Sequence, residues 1–64
     1  MEHPKFKETR MTCRKAGIKY RIVGVDGALY LLGGGHYKQV CFSLLNLSNE
    51  QIEQIVNNFK KEDI

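Results

Sequence analysis

Cys13, Cys41, His3 and His36 are the side chains of this 64-residue chain best suited to metal or nucleophilic chemistry. Four such ligands are the number a structural zinc site needs. Their spacing contains no Cys-x-x-Cys and no His-x-x-x-His pair, so no metal is expected. A Cys41 and His36 dyad would need the imidazole beside the thiolate. An odd separation along one strand sends the two side chains to opposite faces. Gly33-Gly34-Gly35 before His36 invites the cradling of a phosphate by converging backbone N–H groups. A P-loop, however, has Gly-x-x-x-x-Gly-Lys-Ser/Thr spacing and opens a helix, whereas these glycines lead into a strand pattern and read as a hairpin turn. No pair of carboxylates occupies a sheet position suited to general acid–base work. The expectation is a chain that is not an enzyme, with no catalytic residue, no metal, no cofactor and no small-molecule substrate.

At 64 residues the chain is expected to be one domain spanning 1–64. Folding at this size removes only about 60% of the unfolded chain's surface, so stability is marginal without added support. Two cysteines permit at most one bridge, too few for a secreted disulfide scaffold, which points to a reducing cytoplasm. No secretory leader pattern and no apolar run of about 18 residues is present, so a soluble cytoplasmic protein without a membrane span is expected. Frequent Lys, Asn and Ile in the last third suit an AT-rich genome, that of a low-GC bacterium or its phage.

The elements that must position any site are legible to different degrees. From Leu47 to Lys61 every local signal predicts a helix. Ser48 suits the N-cap with Gln51 three residues on, and Leu47 before the cap can staple onto Ile52. Ile52, Ile55, Val56 and Phe59 recur at i, i+3, i+4 and i+7, forming one apolar stripe. Burying those four side chains contributes about 6 to 12 kcal/mol before entropy, so the helix needs a surface to dock on. Residues 18–45 supply it, reading with period 2. Asp26-Gly27 between Ile18–Val25 and Ala28–Leu32 predicts a two-residue hairpin loop. That register opposes Val25 to Ala28, Val23 to Tyr30 and Arg21 to Leu32 on one face, and Ile22 to Leu31 and Gly24 to Leu29 on the other. A second turn at Gly34-Gly35 opposes Tyr37 to Leu32 and Val40 to Leu29. Residues 6–14, weakly alternating and charged, are expected to be an edge strand or part of a loose arm over 1–14. The predicted architecture is therefore α+β, a three-stranded antiparallel sheet, four-stranded if the arm joins it, with one C-terminal helix on one face, (β)βββα.

The same alternation sorts side chains by face. Tyr20, Ile22, Leu29, Leu31, Val40, Phe42 and Leu44 are assigned to the core beneath the helix. Arg21, Val23, Val25, Tyr30, Leu32, Tyr37, Gln39 and Cys41 fall on the other. Val23, Val25, Tyr30, Leu32 and Tyr37 form an apolar and aromatic patch that one helix, committed elsewhere, cannot cover, and such patches mark interfaces. The N-terminal arm, folding across through Phe6 and Met11, is the competing cover. The expected function is a non-enzymatic interaction module, a small cytoplasmic regulator or inhibitor that binds a protein partner or itself as a homodimer.

Nucleic acid is the alternative partner. The net charge of +3 divides into +5 over residues 1–42 and −2 over residues 43–64. Arg14, Lys15, Lys19, Arg21 and Lys38 beside Tyr30 and Tyr37 combine phosphate contacts with stacking platforms. In element order, three strands then a helix, the chain resembles small DNA-binding domains of some phage-type integrases and plant transcription factors, which read DNA with the sheet. The resemblance is one of architecture, with no shared motif.

Overall fold

The computed structural model describes residues 3–63, the side chain of Asp63 excepted. Met1, Glu2 and Ile64 lie outside the described residues. The first described element corrects the sequence expectation: residues 4–16 are neither edge strand nor loose arm but a helix, α1 (Pro4–Ala16). Pro4 begins it, where a missing N–H costs nothing, and the His3 ring accepts from the Lys5 N–H at 3.1 Å. At its end Gly17 adopts φ 72°, Gly17 N–H donates to Arg14 C=O and Ile18 N–H to Cys13 C=O, the Schellman arrangement. The inward stripe is Phe6, Thr9, Cys13 and Ala16. Two of these are polar or small, which is why no apolar periodicity announced it. The buried Thr9 hydroxyl is satisfied by donating to Lys5 C=O at 2.8 Å.

The sheet follows in the order β1 (Tyr20–Val23), β2 (Ala28–Gly33), β3 (His36–Cys41), antiparallel throughout. The first turn differs from expectation. It takes four residues, 24–27, and pairs Val23 with Ala28, Ile22 with Leu29, Arg21 with Tyr30 and Tyr20 with Leu31. A two-residue Asp26-Gly27 loop would need positive φ at both positions. Asp26 does not adopt it, and Gly24 (φ 82°) and Gly27 (φ 81°) do. A shift of two residues leaves every paired side chain of β1 and β2 on its assigned face. The second turn forms at Gly34-Gly35 as the sequence predicts, with Gly33 opposite His36 and Leu32 opposite Tyr37.

Beyond that point β3 bulges. Tyr30 pairs with Gln39 but Leu29 pairs with Cys41, so Val40 is the extra residue and not the partner of Leu29. The bulge exchanges roles: Cys41, assigned to the open face, packs against the core, while Phe42, assigned to the core, is 84% exposed. Leu44 is buried as expected, from a 3-10 turn at Leu44–Asn46 rather than from a strand.

The C-terminal helix, α2 (Asn49–Asp63), forms where the sequence places it. Gln51 N–H donates to Ser48 Oγ at 3.2 Å and Ser48 N–H to Gln51 Oε1 at 2.9 Å, completing the capping box. Ile52, Val56 and Phe59 are buried and Ile55 half-buried. Ile52, Val56 and Phe59 join Cys13, Ile18, Leu29, Leu31 and Leu44 in one core, so both helices lie on the same face of the sheet, with α1 packed on α2. The Lys5 ammonium donates to Leu47 C=O, tying the start of α1 to the entry of α2.

Candidate interaction surface

With both helices on one side, the opposite sheet face keeps no cover among the described residues. Its centre is Tyr30 on β2, flanked by Arg21 and Gln39 in register. Leu32 lies beside Tyr37, and its N–H donates to Lys19 C=O, which places Lys19 next to it on the other flank. Tyr30 and Leu32 are half-buried, whereas Val23 and Tyr37 are 47% and 45% exposed. The Arg21 guanidinium lies 6.0 Å from the Tyr37 ring centroid, reaching from β1 across β2 to β3. That distance is the outer limit for a cation over a ring.

The competing cover does not form. Phe6 packs into the core beside Gly27 and Leu44, and Met11 remains exposed on α1. Val25 is the one expected patch residue outside the sheet: it stands 92% exposed at the 24–27 turn. That turn is held against residues 43–45. Leu44 N–H donates to Gly27 C=O at 2.9 Å, and the Ser43 hydroxyl to Asp26 C=O at 3.3 Å. The same end of the molecule presents Phe42 and Leu45, exposed residues that the sequence reading missed. No local signal marks the bulge that turns Phe42 outward.

The five cations assigned to nucleic acid separate. Lys19 and Arg21 alternate with Tyr20 and lie on the open face. Lys38 pairs with Leu31, in register with the helix-bearing face. Arg14 and Lys15 occupy the last turn of α1. Lys15 lines a groove of 270 Å³ between the helices, together with Glu8, Met11, Glu53 and Lys60. A second hollow, of 330 Å³, lies between α1 and β1 and is lined by Phe6, Arg10, Tyr20 and Arg21.

The cysteines and histidines stay apart. Cys13 is fully buried in the helix-to-sheet core, and burial pushes its thiol up to about 11. Cys41 is half-buried and also free. The bulge puts His36 and Cys41, opposite Gly33 and Leu29, on the same face of β3 rather than on the opposite faces expected from the sequence, yet they stand at its two ends, about 16 Å apart at strand rise. Among the described residues no cluster of His, Cys, Asp or Glu is arranged to hold a metal, and no helix is long and apolar enough to cross a membrane. The order α1-β1-β2-β3-α2 departs from the strands-then-helix order on which the resemblance to sheet-reading DNA-binding domains rests. No family model matches the chain, and neither a curated protein nor a solved structure is significantly similar to it.

Proposed function

We propose that the chain is a non-enzymatic interaction module, a small cytoplasmic regulator or inhibitor of bacterial or phage origin that docks a protein partner on its open sheet face. One observation supports it most: both helices pack on one face of the sheet, leaving Val23, Tyr30, Leu32 and Tyr37 as an apolar and aromatic surface on the other. Patches of that composition, rimmed by polar groups such as Arg21, Lys19 and Gln39, are typical of interfaces.

The test is Tyr30→Asp beside Leu32→Lys. Each places a charge at the middle of the patch, where large apolar anchors contribute most to binding. Both variants are expected to keep the wild-type circular dichroism spectrum and to lose association with the partner. Retained association in both would remove the sheet face from consideration.

Nucleic acid is the second candidate, favoured by Arg21 set against Tyr37 with Lys19 on the same face. It is weakened by the dispersal of Arg14, Lys15 and Lys38 to other surfaces. It is weakened further by Val23 and Leu32, which offer a phosphate or a base edge nothing to bond.

A further inference from the structure

We infer that the occupant of the open sheet face is a short acidic segment of another protein, an aromatic or aliphatic anchor flanked by Asp or Glu; this rests on the interaction function proposed above. Charge complementarity is the first ground. β1, β2 and β3 contain no carboxylate, and the open face carries Lys19 and Arg21. The acids of the described chain lie elsewhere: Glu8 on α1, Asp26 in the first turn, and Glu50, Glu53, Glu62 and Asp63 on α2. A carboxylate arriving at the sheet face therefore meets no like charge built into a strand. Arg21, opposite Tyr30 in register and with its guanidinium over the Tyr37 ring, presents a planar fork suited to bidentate carboxylate binding beside an aromatic anchor.

Area is the second ground. Strands of at most six residues, spaced about 4.8 Å apart with a rise of about 3.3 Å per residue, present a face of roughly 300 Å² in projection. That footprint, about 20 Å long and about 14 Å wide, has the dimensions of a single peptide segment. An extended or helical segment of a few turns fits it. A second copy docked face to face would bring no strand carboxylate to Lys19 and Arg21, whereas an acidic segment would.

The probe is a displayed library of random dodecapeptides selected on the intact chain, with peptide affinities read by fluorescence anisotropy. Enriched peptides are expected to combine Asp or Glu with Phe, Tyr, Trp or Leu. Tyr30→Asp should abolish their binding, Arg21→Glu should weaken it by at least roughly 10-fold, and Glu53→Lys on α2 should leave it unchanged. Peptides with Lys in place of their acids should recover on Arg21→Glu, a charge exchange that also shows the variant is folded. Neutral or basic peptides that Tyr30→Asp still abolishes would overturn the acidic segment while leaving the sheet-face function standing. Peptides indifferent to Tyr30→Asp, or no enrichment at all, would overturn both. A concentration-dependent dimer lost in Tyr30→Asp would replace the segment with a second copy. Gel-shift binding of random DNA or RNA lost in Arg21→Glu would replace it with nucleic acid.

Discussion

At the scale of single residues, tertiary neighbours set the roles of Gly27 and Cys13. Gly27 sits buried at φ 81°, and a Cβ there would run into the Phe6 ring and come within 3.3 Å of Leu44 Cβ. Strain and collision act together, so Gly27→Ala is expected to destabilise by about 2 to 4 kcal/mol in urea unfolding. Gly35→Ala, with φ 84° but open space around it, should cost only about 1 kcal/mol. Equal losses at the two positions would show that Phe6 does not press on the turn. Cys13 titrates near 11 in the fold against an ordinary value of 9.0, because burial disfavours the thiolate. A raised folded pKa gives a contribution that is full below pH 9 and disappears as pH climbs through about 11, since the unfolded thiol ionises first. Cys13→Ala should therefore lose less melting temperature than wild type between those limits; parallel slopes would count against the burial. At neutral pH Cys41 should react with a thiol reagent and Cys13 only after denaturation.

The elements differ in how much of their stability is local. α2 closes its first turn with its own side chains, Ser48 and Gln51 exchanging hydrogen bonds with each other's backbone N–H groups. Ser48→Ala should cost about 1 kcal/mol, measured by thermal melting; no change would mean that docking on the sheet alone holds the helix end. α1 depends on its surroundings instead, with Thr9 and Cys13 inside the core and the Lys5 ammonium reaching Leu47. Its boundary signals, Pro4 near the start and Gly17 at the end, are present in the sequence, but the weak alternation and charge of residues 6–14 obscured them. The first hairpin shows a further dependence: its loop is longer than Asp26-Gly27 suggests, and residues 43–45 bind the carbonyls of that turn. Chemical shifts should report helix at 4–16 and 49–63 and strand at 20–23, 28–33 and 36–41.

At the scale of the molecule, packing two helices on one face of a three-stranded sheet leaves the other face to solvent. An association through Val23, Tyr30, Leu32 and Tyr37 alone would hardly respond to salt, because screening does not act on apolar hydration. An acidic segment on Lys19 and Arg21 should lose roughly 3- to 10-fold in affinity between 50 and 200 mM salt, whereas nucleic acid held by several phosphate contacts should lose roughly 10- to 1000-fold. Anisotropy and gel-shift titrations across that range distinguish the three. Sequence alone determined α2, the three strands, the Gly34-Gly35 turn and the division of β1 and β2 into two faces. Each of those depends on contacts within a few residues or on the strict period of a strand, which a two-residue slip in register does not disturb. Only the tertiary structure decided that residues 4–16 are helical, that Phe42 leaves the core while Cys41 enters it, and that the cations of α1 part from those of β1. In each case the deciding neighbour is distant along the chain: α2 and the sheet bury the weakly apolar stripe of α1, and a bulge at Val40 reverses the alternation that a uniform strand would continue.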